Sequence, residues 1–307
     1  MANKNLTIVE EFILVGFSDL PNLQGVLFAI FLIMYMSIIF GNGLIIILTK
    51  ITPALQTPMY FLIRNLSFLE ICYTTVTLPR VLSDLRTQKR NITLFACATQ
   101  LCFFLMLGGT ECLLLAVMAY DRYVAICRPL YYPLIMNHRA CAQLVTGSWI
   151  STIPVIPWYA YLIFSLPFCG SKKLDHFFCD SLPLLMIACG DISVLEYIVY
   201  SGTVLYIVLP LLLIIRSYVK IIIIILKLPS AIGRSKAFST CSSHLTVVIL
   251  LYGSAIITYS RPQSKTSSGI EKMLSLFYTI ITPMFNPIIY TLRNKEVITA
   301  LRKLASK

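Results

Sequence analysis

The chain has 307 residues, 58% of them hydrophobic and only 12% charged, with a formal net charge of +12. Soluble domains carry about a quarter charged residues, so the composition excludes an ordinary soluble protein and points to a membrane. The basic balance invites a nucleic-acid reading, but the cations flank apolar stretches and read as loops against anionic lipid headgroups, so membrane lipid and not nucleic acid is the expected partner.

Crossing about 30 Å of hydrocarbon takes about 20 helical residues, and seven stretches qualify. The first runs from Gly25 to Thr49 without a charge, and the second from Pro58 to about Leu82 with Arg64 and Glu70 inside it. The third is Leu94 to Cys127 and the fourth Ala140 to about Ser165. The fifth, Glu196 to Leu226, closes on the isoleucine run Ile221 to Ile225; the sixth is Lys236 to Ser260 and the seventh about Glu271 to Leu292. A barrel would show alternating segments of about ten residues, so the continuous runs predict helices.

After Leu292, Arg293 and Lys295 precede Val297, Ile298, Leu301 and Leu304, with Arg302 and Lys303 on the opposite face. That spacing predicts a short amphipathic helix on the inner leaflet. The expected fold class is an all-α membrane protein, a seven-transmembrane helix bundle with a short C-terminal amphipathic helix. It is read as one domain over 1–307, with an extracellular segment 1–23, the bundle 24–292 and the tail 293–307. No cleavable signal peptide is expected, because Glu10, Glu11 and Asp19 interrupt the first twenty residues.

Loop charge sets the orientation. With the N-terminus outside, cytoplasmic segments hold 15 Lys plus Arg against 2 acids, and outer segments 10 against 9. The positive-inside bias therefore predicts an extracellular N-terminus. One loop disagrees, since Arg80, Arg86, Lys89 and Arg90 would all lie outside. Asn5-Leu6-Thr7 and Asn91-Ile92-Thr93 are sequons on the outer side, of which Asn5 is the expected glycan acceptor, while Asn65-Leu66-Ser67 lies within the second span.

Of ten cysteines, Cys97, Cys169, Cys179 and Cys189 fall at the oxidising outer side. Four cysteines permit three pairings and spacing does not choose among them. The loop Ser165 to Leu195 holds three of the four and is read as too polar to bury, so it needs tying down. His176 near Cys179 and Asp180 raises a metal reading, which paired cystines would remove by leaving no thiolate.

Two acids, Glu70 and Glu111, lie within the bilayer. Ionisable groups there are costly and face the bundle interior. Glu111 shares a helical stripe with Gly108 and Phe104, which predicts a pocket above and a polar site below. The two carboxylates would hold a sodium ion or share a proton, or else one is simply protonated and bonded to Asn42, Asn286 or Ser67. No other cofactor or metal is expected.

Competing classes lack their signatures. A transporter would show repeat symmetry or paired broken helices. An enzyme would need a nucleophile with its base, and His244 beside Ser242 and Ser243 has no triad partner.

Asp121-Arg122-Tyr123 at the inner end of the third span and Asn286-Pro287 with Tyr290 in the seventh resemble the signatures of rhodopsin-like G-protein-coupled receptors. Gly41-Asn42, Trp149 and Pro210 fit the same pattern. More specific are PMYFLIRNLSFLE (Pro58 to Glu70), MAYDRYVAIC (Met118 to Cys127), KAFSTCSSHLTVV (Lys236 to Val248) and PMFNPIIYTLRN (Pro283 to Asn294). Together they resemble olfactory receptors of the tetrapod-type class over essentially the whole chain. Ile63-Arg64 and Phe285 depart from the commonest family pattern without touching a signature residue.

The resemblance implies an odorant receptor at the plasma membrane, coupled to a stimulatory heterotrimeric G protein that raises cyclic AMP. It implies disulfides Cys97–Cys179 and Cys169–Cys189. It implies a ligand site from Phe104, Leu105, Gly108 and Gly109 of the third span and Thr203 and Tyr206 of the fifth. Tyr252, Ile256 and Tyr259 of the sixth span form a stripe at helical spacing, and Thr279 of the seventh completes the set. Coupling would run through Asp121, Arg122, Tyr123, Arg128, His244, Asn286, Pro287 and Tyr290, with Asp121 holding Arg122 at rest. A peptide or amine receptor of the same fold would need acidic residues in the pocket, and none is placed there.

Overall fold

In hydrocarbon every backbone polar group must be paired within its own segment, so apolar runs of this length fold as helices. The structure, a computed structural model, describes residues 10–168, 171–189, 192–227, 229–259, 268–292 and 295–305. These form seven spans. The first is Gln24–Ile51, the second Pro58–Thr87 and the third Leu94–Cys127. The fourth comes in two pieces, His138–Thr152 and Val155–Phe164. The fifth covers Ser193–Lys227, the sixth Ala231–Tyr259, and the seventh Ser268–Leu292. A helix Lys295–Ala305 follows the bundle.

Local chemistry sets several ends. Thr93 Oγ1 accepts the backbone N–H of Ala96 at 3.3 Å and Asn137 Oδ1 that of Ala140 at 2.9 Å, capping the third and fourth spans. Pro58 opens the second, where a missing N–H costs nothing.

Two spans change pitch midway. Val204–Val208 and Phe277–Ile281 are π-helical turns. Each contains the residue four before a proline: Tyr206 before Pro210, and Thr279 before Pro283. A proline ring presses on that carbonyl and offers it no hydrogen, and a widened turn absorbs the conflict. In the seventh span the irregular turn answers to Pro283, while Pro287 sits within the helix Thr282–Leu292.

Among the described residues, five helices are continuous, long and apolar enough to cross a membrane. The second span is not among them, since it carries Arg64 and Glu70 inside it as well as Arg80, Asp84 and Arg86, and the fourth is divided at Ile153 and Pro154. Ile38, Leu66, Leu69, Leu114, Leu115 and Ala119 form the fully buried centre. Gly41 lets the first span meet the seventh: a Cβ there would stand 3.0 Å from Pro287 Cβ.

The all-α expectation needs one addition. Glu11–Leu14 (β1), Asn91–Thr93 (β2) and Lys173–Leu174 (β3) form a small sheet in the order β2-β1-β3 at the outer end. β1 runs antiparallel to β2, with Phe12 opposite Ile92, and parallel to β3, with Leu14 opposite Leu174. Phe12 and Leu14 point inward and are buried, the alternation of a half-buried strand. The segment before the first span is therefore a structural part of the outer face.

The loop between the fourth and fifth spans, read from sequence as too polar to bury, buries a central stretch. Leu174, Phe177, Phe178 and Cys179 are all below 5% exposed. β1 covers them from outside and the bundle receives them from below. The outward cations are partly explained too, since Arg80 pairs with Asp84 at 2.9 Å and donates to the Asn91 carbonyl.

Candidate functional site

Below that loop lies a cavity enclosing about 910 Å³ of open space, mouth included. Phe104, Leu105, Gly108, Gly109, Thr203 and Tyr206 line it. Tyr252, Ile256 and Thr279 do not. Tyr252 donates instead to the Cys112 carbonyl at 2.9 Å, and Thr279 to the Ser275 carbonyl at 2.6 Å. The sixth span faces the cavity with Leu251 and Ala255, each one position before the expected stripe, so the helix is turned by about 100°. Tyr259 ends that span, and its side chain lies outside the described residues.

Sequence reasoning missed Tyr73, Tyr159, Ser181 and Tyr278 in the lining. Tyr159 reaches it because the break at Ile153 and Pro154 resets the fourth span, and Ser181 because the outer loop folds inward. Pro154 was a visible signal for the first; nothing local signalled the second. Among the described residues, no charged side chain lines the cavity.

The two glycines act differently. A Cβ at Gly108 would meet only Tyr73, at an ordinary 3.7 Å, whereas one at Gly109 would press on Thr152 Cγ2 at 3.2 Å and touch the Tyr206 ring at 3.5 Å. Gly108 therefore gives volume to the cavity. Gly109 permits three spans to close, and Tyr206 is held there by its bond to the Ser151 carbonyl at 2.8 Å.

An aromatic column roofs the cavity. Tyr73 stacks on Phe104, Phe104 meets Phe178 at 4.6 Å, and Phe178 packs edge-on to His176 at 4.4 Å. Phe177 stacks on Phe17, which reaches Phe31 of the first span. Cys97–Cys179 pins this loop to the third span, and Gln100 accepts the Cys179 N–H at 3.0 Å. The second expected disulfide includes Cys169, which lies outside the described residues, as does the glycan candidate Asn5. Asn91 Nδ2 donates to Glu11 at 3.1 Å. His176 accepts the Phe178 N–H at 3.4 Å, and burial with the nearby Lys272 charge drops its pKa to about 3. Since Cys179 is in a disulfide, the metal reading around His176 loses its thiolate. Lys272 pairs with Asp175 and reaches the Gly16 carbonyl at 3.5 Å, tying the seventh span to the roof.

Beneath the cavity, Glu70, Glu111, Asn42 and Asn286 are fully buried. Asn286 Nδ2 donates to Glu70, whose carboxyl neighbours that of Glu111. Asn42 donates to the carbonyls of Ile38 and Pro283. Among the described residues, Glu70 Oε2, both Glu111 oxygens, Asn42 Oδ1 and Asn286 Oδ1 have no hydrogen-bond partner from outside the cluster. Such a set of hard oxygen atoms fits a sodium ion or a shared proton.

At the inner end, Arg122 Nη2 lies 3.2 Å from Asp121 Oδ2. Tyr132 of the following loop donates to Asp121 Oδ1 at 2.8 Å, a contact the sequence did not suggest. Burial and the Asp121 charge raise the Tyr132 pKa, so it remains a donor. Arg122 is also within electrostatic reach of Tyr218, His244 and Tyr290, and Tyr218 shares a 2.9 Å hydrogen bond with His244 Nδ1. Tyr123 is capped by the Lys220 ammonium, 5.5 Å from its ring centre. Arg128 is exposed at the inner rim.

The family model described as "Olfactory receptor" matches residues 31–307. The chain belongs to the olfactory receptor family. Human olfactory receptor 10AG1 is 61% identical over 97% of this chain and 99% of its own length. Human olfactory receptor 10A4 is 53% identical over 98% and 96%. The crystal structure of squid rhodopsin superposes with a TM-score of 0.75 at 18% identity, covering 92% of this chain and 80% of that one, which shows the shared fold. The receptor is thus a multi-pass membrane protein of a receptor family and not an enzyme.

Proposed function

We propose that the receptor binds a small odorant in the cavity under the aromatic roof and signals through a stimulatory heterotrimeric G protein, raising cyclic AMP. The observation that carries this is the cavity itself, apolar, dotted with hydroxyls and free of charge. Such a lining suits a compact ligand with one weak polar group and disfavours amines and carboxylates, whose desolvation it would not repay. Ligands of about ten heavy atoms bury little area, so affinity is modest.

The third span links the parts: Phe104 and Gly108 at the ligand, Glu111 in the polar cluster, Asp121 and Arg122 at the inner rim. Ligand occupancy biases the sixth span through Leu251 and Ala255. That motion frees Arg122 and exposes the inner rim, including Arg128, to the G protein. Glu70 and Glu111 hold sodium or a shared proton in the resting state. The receptor sits in the plasma membrane with its N-terminus outside, as loop charge favours.

The test is a cyclic AMP reporter screen of an odorant panel at matched surface expression. The expected result is a dose-dependent response to at least one apolar odorant that Arg122→Ala abolishes. A response that Arg122→Ala leaves intact would overturn the coupling assignment.

A further inference from the structure

We infer that the groove between the inner halves of the third, fourth and fifth spans is a binding site for one anionic phospholipid. The groove encloses about 1520 Å³ of open space and is separate from the odorant cavity. Its inner end gathers Arg128, Arg216 and Lys220, all exposed, and no acid lines it among the described residues. Arg216 and Lys220 are four residues apart on one helix, where like charges repel. None of the three has an ion-pair partner among the described residues.

The upper wall suits an acyl chain. Leu144 and Leu213 are exposed on it, and its serine hydroxyls are already satisfied within their own helices: Ser148 donates to the Leu144 carbonyl, Ser151 to that of Ser148, and Ser217 to that of Leu213. Gly147 keeps the wall low, since a Cβ there would find nothing within 4 Å. Because the groove opens sideways between spans, hydrocarbon fills it, and only the headgroup remains to be chosen. Three unpaired cations choose a phosphate with net negative charge. The leaflet is the inner one on the orientation proposed above; the site itself does not depend on it. Tyr123 forms part of the wall beneath Lys220, so an occupying headgroup draws on the cation that caps a coupling residue.

Native mass spectrometry of the purified receptor, offered phosphatidylserine and phosphatidylcholine with identical chains, tests the site without an odorant. Wild type should retain phosphatidylserine preferentially. Arg216→Gln with Lys220→Gln should lose on the order of 30-fold in that preference, about 1 kcal/mol per basic residue. Arg302→Gln, which removes a cation elsewhere, should lose none. Gly147→Leu places an apolar side chain where a Cβ has open space and should cut phosphatidylserine retention with the charges intact. A photoactivatable phosphatidylserine should label peptides of the fourth and fifth spans in wild type, a readout independent of variant folding. Equal retention of both lipids, a preference surviving both variants, labelling elsewhere, or a second receptor copy in place of lipid would each overturn the site.

Discussion

Tyr132 holds Asp121, and Asp121 holds Arg122: the phenol hydrogen bond is 2.8 Å and the ion pair 3.2 Å. The resting pair is therefore steadied from the loop that follows the third span. A hydrogen bond to a charged group is worth about 1.5–3 kcal/mol. Tyr132→Phe should raise odorant-free cyclic AMP by about tenfold at equal surface expression. An unchanged baseline would show that the loop contact is passive.

Gly108 and Gly109 are neighbours with different duties, and single methyl groups separate them. Gly108→Ala should weaken the odorant response by about tenfold, roughly 1.4 kcal/mol, with surface expression intact. Gly109→Ala presses on Thr152 and should lower folded yield, with overpacking costing about 1–3 kcal/mol. Flow cytometry beside dose-response curves tells the two apart, and identical behaviour would remove the distinction.

At the contact of the first and seventh spans, the same logic applies to Gly41. Gly41→Ala meets Pro287 Cβ at 3.0 Å, while Gly43→Ala meets nothing within 4 Å. The first should destabilise by about 1–3 kcal/mol, seen as a lower melting temperature in detergent; the second should not. Equal melting temperatures would contradict the packing described.

His176 gives stability a pH dependence. Its folded pKa of about 3 lies below the ordinary histidine value of 6.5, because burial and Lys272 disfavour the cation. The unfolded chain takes up a proton first as pH falls, so this contribution is complete above about 6.5 and lost progressively toward 3. The loss is at most about 1.4 kcal/mol per pH unit. Thermal melts at pH 7 and 5 should differ more for wild type than for His176→Gln. Parallel shifts in both would rule His176 out as the cause.

Cutting Cys97–Cys179, which closes 82 residues, should cost about 2–5 kcal/mol. Cys97→Ser with Cys179→Ser should then reach the surface poorly, as antibody staining of intact cells would show; wild-type staining would mean that β1 and Gln100 suffice to hold the loop.

Seven spans, the tail helix and the inner signatures were legible in the chain, because hydrocarbon thickness and backbone pairing leave apolar runs one form to adopt. The stripe of Phe104, Gly108 and Glu111 was legible for the same reason: helical periodicity alone places pocket above polar cluster. What spacing does not carry is rotation about a helix axis and the course of a polar loop. The sixth span shows Leu251 and Ala255 to the cavity because Tyr252 finds the Cys112 carbonyl, a partner 140 residues away. β1 forms because the segment before the first span meets two loops that are distant in sequence, and Tyr132 finds Asp121 only once the chain has turned back. Solvent and periodicity dictated the helices; contacts between distant residues chose their facing, the roof and the latch.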